Sequence, residues 1–422
     1  MSIRPFTLAT LTSALLAASG SAMATNGYFA HGYGVKSQGM AGVGYALPQD
    51  ALAAATNPAG TARIGNRLDV GLTVFKPDRQ SEIEGNVLGP GFSADGDFDG
   101  NDTDLFYIPE FGYSRELDER LSVGLAVYGN GGMNTDYNDN PYAAYGSSGS
   151  AGVDLAQVFV TPSLAFKLTE AHAFGIGINY AYQRFEAKGL QAFEGLSGSP
   201  ANVTNNGHDD SDGWGLRLGW NGQLSDSLTA GIAWSSKINT TRFKDYEGLF
   251  AHAGSFDIPE NYGIGLAWQA TPQLTLAADV QEIRYGQIDS VANPLSLLTP
   301  GNPLGGNNGA GFGWDDITVY KLAASYQLNP QLTLRGGVSH AEQPVPSDQT
   351  FFNILAPGVV QDHLSLGATY AVSANGEISL AYTHAFSETV NGHDSIPQNF
   401  GGGEANLKMS EDILGVAYGW KF

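Results

Sequence analysis

The chain ends on Phe422, and its last ten residues alternate strictly. Leu414, Val416, Tyr418, Trp420 and Phe422 interleave with Ile413, Gly415, Ala417, Gly419 and Lys421. One face of such a strand is large, apolar and aromatic at its end. The other is mostly small or polar. A terminal strand of this kind, closing on an aromatic residue, is the mark of a β-barrel of the bacterial outer membrane. It sets the solvent as hydrocarbon on one side and a polar lumen on the other.

The composition agrees with that solvent. Hydrophobic residues make up 42% of 422, yet there are 56 Gly, 19 Tyr and 21 Phe. High glycine and aromatic content with ordinary hydrophobicity suits strands that alternate between lipid and lumen. Beyond the N-terminus no run reaches the roughly 20 apolar residues that a membrane-spanning helix needs. The formal charge of −22 argues against a nucleic-acid partner, which requires basic surface. With no cysteine, disulfides and thiolate metal sites are excluded. Residues 1–24 read as a secretory signal peptide: Arg4 supplies the positive start, 6–18 the apolar stretch, and Ala22, Met23 and Ala24 the cleavage site.

About fourteen alternating runs follow, at 66–77, 105–115, 120–130, 155–168, 172–185, 211–224, 227–242, 257–270, 273–285, 314–328, 331–341, 361–373, 376–388 and 408–422. Short turns built on Asp, Asn, Ser, Thr and Pro alternate with long Gly/Asn/Asp-rich connections. The pattern predicts an all-β, 14-stranded antiparallel transmembrane barrel over 66–422, with short turns in the periplasm and long loops outside. Parity puts Phe174, Ile176, Ile178, Tyr180 and Tyr182 on the lipid face, and likewise Tyr262, Ile264, Leu266 and Trp268. The opposite parity gives the lumen small residues, such as Gly175, Gly231 and Gly367, and the charges Asp69, Glu110, Arg217, Asp279, Lys321 and Arg335. Residues 25–65 lack alternation and carry Asn57, Pro58, Ala59 and Gly60. Their apolar content (Tyr28, Phe29, Tyr33, Met40, Leu52) favours a plug, or hatch, in the lumen over a disordered tail.

The run from Asn26 through Ala46, with Asp50 and the Asn57-Pro58-Ala59 element, resembles the FadL family of outer-membrane transporters. Pro344, Val345 and Pro346 resemble a second segment of that family. The resemblance implies uptake of long-chain fatty acids or similar hydrophobic molecules, with no cofactor. The ligand would pass from an outer-loop groove to a lumenal pocket, and then sideways into the bilayer at a kinked third strand. Here that strand reaches Gly129, Gly131 and Gly132, and glycine runs weaken ladders. Pro109 on the neighbouring strand removes a ladder donor. These four residues mark either a lateral gap or a flexible loop start.

Apolar ligand positions are Phe159, Leu190, Phe193, Leu196, Leu249, Phe250 and Phe256, with self-packing of loops as the alternative. A carboxylate ligand wants a buried cation. Arg184 sits where the resemblance places one basic contact, while a second such position falls near the acidic Asp315. Neutral hydrocarbons or aromatics therefore stay open beside fatty acids. Lys321 and Arg335 are substitute cations, or partners of Asp279. Asp95, Asp97 and Asp99 open like a Ca²⁺ loop but lack its twelfth-position Glu. The eight His have no hydrolase or metalloprotease context, so no enzyme is expected. The partners expected besides the ligand are outer-membrane lipid, lipopolysaccharide and, through the C-terminal strand, the barrel-assembly machinery.

Overall fold

The computed structural model describes residues 26–422. The signal-peptide expectation for 1–24 falls outside them. Each alternating run becomes a strand, because lipid on one side and a packed lumen on the other reward period-2 sequences. The strands are β1 (Arg67–Glu84), β2 (Gly96–Asp99), β3 (Phe106–Glu116), β4 (Leu121–Tyr137), β5 (Ala151–Lys167), β6 (His172–Lys188), β7 (Asp209–Ser225), β8 (Leu228–Ser235), β9 (Asn261–Gln269), β10 (Leu274–Ile283), β11 (Ile317–Gln327), β12 (Leu332–Ala341), β13 (Asp362–Ala371), β14 (Gly376–Val390) and β15 (Glu404–Lys421). All neighbours are antiparallel, and β15 returns to β1, so fourteen strands close; β2 is a short addition to the end of β1.

Parity holds around the wall. Leu414, Val416, Tyr418 and Trp420 are each about half exposed, whereas Ile413 is buried. Phe174, Ile176, Ile178, Ile264, Leu266 and Trp268 are exposed as well. Large apolar side chains exposed in a continuous band are tolerable only in a lipid solvent. The short turns are closed by side chains that accept backbone N–H groups. Asp118 Oδ1 takes those of Arg120 and Leu121, and Asn329 Oδ1 those of Gln331 and Leu332. Thr271 and Ser373 do the same at their turns.

Three expectations need correction. β1 runs to Glu84 rather than 77, because β15 pairs with it throughout and β2 covers Gln80–Ile83. The run predicted over 227–242 stops at Ser235. The Asp-rich stretch, read as a loop, forms part of a ladder. Gly96–Asp99 is the strand β2, so Asp97 and Asp99 project from a ladder; Asp95 accepts the Asn86 N–H at 2.8 Å and Asp99 the Asn101 N–H at 3.0 Å. Among the described residues no group of three or more His, Asp or Glu converges on a metal position.

Candidate functional site

Residues 26–66 run inside the barrel and are almost entirely buried. Their regular structure is limited to short helical turns at Val35–Gln38, Ala53–Thr56 and Pro58–Arg63. A buried irregular backbone leaves peptide groups that need partners. The lumenal charges supply them. Glu110 accepts the N–H groups of Gly34 and Val35 at 3.1 and 3.0 Å. Asp279 accepts those of Gly44 and Tyr45 at 2.7 and 3.1 Å, and Asp69 that of Ala51 at 2.9 Å. Arg217 donates to the Ala55 and Thr56 carbonyls. Lys321 donates to those of His31 and Gly42 at 3.2 and 3.4 Å. Arg335 donates to Gln49 Oε1 at 2.8 Å. Hydrogen bonds to charged groups contribute about 1.5–3 kcal/mol each, so the wall holds this segment in one place.

The lumenal glycines make room for it. A Cβ on Gly219 would lie 2.0 Å from Asn57 Oδ1, and one on Gly175 2.2 Å from the Ala59 nitrogen. The Asn57-Pro58-Ala59 element is thus seated on β6 and β7. Its Asn57 Nδ2 donates to the carbonyls of Tyr45 and Trp220 at 2.8 and 2.9 Å. Asp50, buried beside Asp69, is pushed up to about 6 by burial first and by that carboxylate second, against the pull of Lys36 and Arg67.

At the long-loop end, Phe185, Leu190, Phe193, Leu249, Phe250 and Phe352 line an apolar pocket of about 40 Å³. From it a file of rings descends. Phe250 meets Phe256 at 4.9 Å, Phe256 meets Tyr28 at 5.9 Å, and Tyr28 meets Phe29 at 5.5 Å between centroids. Tyr285 and Trp314 pack on Tyr28 at 5.0 and 5.8 Å. Such ring pairs add about 0.5–1.5 kcal/mol beyond burial.

The file ends at a break in the wall. β3 pairs with β1 from Phe106 to Ser114, but with β4 only from Phe111 to Glu116. β4 carries on along β5 to Tyr137 with a bulge at Asn130 between Gly129 and Gly131. The edge of β3 at Phe106–Glu110 and the edge of β4 beyond Val127 therefore share no ladder. Pro109 has no N–H to offer there, and the extra residue turns the strand. The N-terminal segment takes the free edge instead. The Ala30 N–H donates to the Asn130 carbonyl at 2.8 Å and the Gly132 N–H to that of Tyr28 at 3.0 Å. Ala30 packs with Phe75, Phe106 and Ile413 behind the opening, with Tyr33 and Ile108 against them.

Comparison with known proteins places this architecture. The family described as outer membrane protein transport protein (OMPP1/FadL/TodX) matches residues 15–422. The chain belongs to this family. It is 22% identical to the long-chain fatty acid transport protein of Escherichia coli strain K12 over 337 residues, covering 68% of this chain and 72% of that one. Its fold is similar to a crystal structure of a Pseudomonas aeruginosa FadL homologue, with a TM-score of 0.71 at 18% identity over 94% of this chain and 100% of that one. It is also similar to the P. putida toluene transporter TodX, with a TM-score of 0.68 at 18% identity over 93% and 99%. The chain is an outer-membrane β-barrel transport protein of the FadL type.

In this FadL-type chain the sequence-derived site residues separate into groups. Leu190, Phe193, Leu249 and Phe250 come together in the outer pocket. Phe159 lies lower, against Tyr128 at 5.6 Å. Pro109, Gly129, Gly131 and Gly132 border the break. The three expected cations are elsewhere. Arg184 faces the outer surface, 3.6 Å from Asp154 in a polar pocket with Glu186, Lys188 and His208. Lys321 and Arg335 hold the N-terminal segment; neither pairs with Asp279 within hydrogen-bonding reach among the described residues. Tyr285 and Trp314 were not singled out as site residues from sequence, because an aromatic in a loop carries no periodic signal, and Tyr28 was read only as apolar plug content.

Proposed function

We propose that the protein carries long-chain fatty acids or similar hydrophobic small molecules passively across the outer membrane. The path runs from the outer-loop pocket down the ring file and out between β3 and β4, and residues 26–66 act as the hatch. The observation that carries this reading is the occupied break. The stretch where β3 and β4 lack a ladder is capped by a segment whose own rings end the file from the outer pocket. A hydrocarbon chain gains about 0.8 kcal/mol per buried CH₂, so it needs a dry route past the polar outer leaflet rather than an energy source. A ligand in the file would compete with Tyr28 and Phe29 for the same contacts. Their withdrawal would bare the edge of β4.

Substrate identity within this class has a second reading. The outer pocket is lined almost wholly by carbon, with Ser290 its one polar side chain, so it is indifferent to a head group. Neutral hydrocarbons or aromatics fit it as well as acyl chains do. TodX, similar in fold, is a toluene transporter by its description.

A cross-link tests the exit. A Cβ on Gly129 would lie 2.9 Å from Ile108 Cγ2, and the chain has no native cysteine. The Ile108→Cys/Gly129→Cys protein should form a disulfide across the break. Oxidised, it should lose most uptake of a labelled fatty acid, and dithiothreitol should restore it. Uptake at the wild-type rate with the bond formed would rule this exit out.

A further inference from the structure

We infer that Arg79 and Glu411 form a head-group site for an acyl carboxyl at the inner mouth of the β3–β4 break; the inference rests on the exit reading above. Both side chains face the lumen and are 1% exposed. Arg79 lies opposite Met409 in the β1–β15 ladder, with Glu411 two residues along the same face, a diagonal spacing of roughly 7–8 Å. The row below Glu411 is the Phe75–Ile413 pair, which belongs to the apolar cluster behind the opening.

Arg79 spans the top of the break. It donates to the Asn134 and Thr103 carbonyls at 2.6 Å each and to Asn101 Oδ1 at 3.2 Å, and its guanidinium carbon lies 5.9 Å from the Phe106 ring centre. Its hydrogen bonds thus go to neutral oxygens, and among the described residues no carboxylate pairs with it. Two nearby carboxylates are engaged on the outside, Asp136 with Thr103 at 2.6 Å and Asp104 with Lys76 at 3.7 Å.

Glu411 is the unexplained group. Neither of its oxygens meets a hydrogen-bond donor among the described residues. Leaving a buried polar side chain unsatisfied opposes folding, so its presence there calls for an explanation. A fatty carboxyl arriving at this point would complete the site. The two carboxyls would hold one proton between them in a charge-assisted hydrogen bond, and the remaining negative charge would face Arg79. The acyl tail would lie along Phe75, Phe106 and Ile413 once Ala30 withdraws. A neutral hydrocarbon gains nothing from either group. The outer pocket therefore admits by hydrophobicity, and the exit discriminates by head group.

The test is binding of radiolabelled hexadecanoic acid and of its methyl ester to the full chain. The wild type should bind the acid about tenfold or more tighter than the ester, a difference of about 1.4 kcal/mol. Glu411→Leu should abolish that difference by weakening the acid alone. Glu411→Gln, which keeps a donor and an acceptor, should retain most of it. Glu411→Leu should melt no lower than the wild type, since it removes an unsatisfied group, so misfolding does not confound the result. Acid affinity unchanged in Glu411→Leu, or acid and ester weakened in parallel, would overturn the site. Should the β3–β4 disulfide leave uptake intact while Glu411→Leu removes the acid preference, the exit reading fails and the head-group site stands.

Discussion

His31 shows how much one buried ring can carry. It stacks on His363 at 4.5 Å, its own carbonyl accepts from Lys321, and its Nδ1 has no partner among the described residues. Burial first, then the neighbouring His363 and Lys321, hold it well below the usual histidine range. The sign follows from linkage. A withdrawn His31 binds a proton more readily than a docked one, so docking of the N-terminal segment is at full strength above the free value of about 6.5 and weakens as pH falls towards the lowered docked value. Protease access to residues near His31 should rise on acidification from pH 7 to 5. His31→Phe, which keeps the stack without the titration, should flatten that profile; an unaltered profile would place the sensitive group elsewhere. Gly219 makes a steric counterpart. A valine there drives two methyls into Asn57 and Pro58, and overpacking of this kind costs about 1–3 kcal/mol. Gly219→Val should leave the barrel folded, as judged by its heat-modifiable migration on gels, yet loosen the segment and raise the same protease access at neutral pH.

At the scale of elements, the kink in β4 is a single inserted residue. Before it Ala126 and Tyr128 face inward; after it Met133, Thr135 and Tyr137 do. Removing Asn130 would bring Gly129 and Gly131 into one regular ladder with the same faces kept, and would remove the carbonyl that receives Ala30 and the amide oxygen that receives the Tyr33 hydroxyl at 2.8 Å. The Asn130 deletion should straighten β4, extend its pairing with β3, raise the melting temperature and cut fatty-acid uptake severalfold. Higher stability with uptake unchanged would separate the bulge from the exit. The strands themselves were legible in the sequence because lipid on one side enforces a period of two along most of each strand. What lay beyond the bilayer was not. β1 continues seven residues past its expected end, from Asp78 to Glu84, where water outside removes the alternation signal. Arg79 sits in that unforeseen stretch, which is why the cation search settled on Arg184, Lys321 and Arg335. The four apolar loop residues were found because large apolar side chains in polar loops stand out. The surroundings of the cations were not legible, because a charge looks the same in sequence whether it meets a ligand, a backbone carbonyl or a carboxylate.

For the whole molecule the question is what keeps fourteen strands from being an open pore. Two seals lie in series. The loops at the outer end meet in an aromatic core in which Phe193, Phe351, Phe352, Tyr142 and Phe400 pack at 5.0–6.3 Å. Below it the N-terminal segment binds the lumenal charges. The seals are coupled, because Tyr28 is one of the rings on which Phe256, Tyr285 and Trp314 rest. Deleting residues 26–65 would strip the hydrogen-bond partners from Glu110, Arg217 and Asp279, and would leave Asp69, Lys321 and Arg335 only Arg67, Gln281 and Thr369. Buried charges left without these bonds draw water into the bore, and the loop core loses its floor. The intact mature chain should therefore show no steady conductance in planar bilayers, and the deletion should show large, long-lived openings, with the β-sheet spectrum preserved because each strand still pairs with its neighbours. A deletion variant that stays closed would assign the seal to the outer loops alone. In that case a ligand would have to open those loops first, and the His31 and Gly219 variants would change protease access without changing uptake.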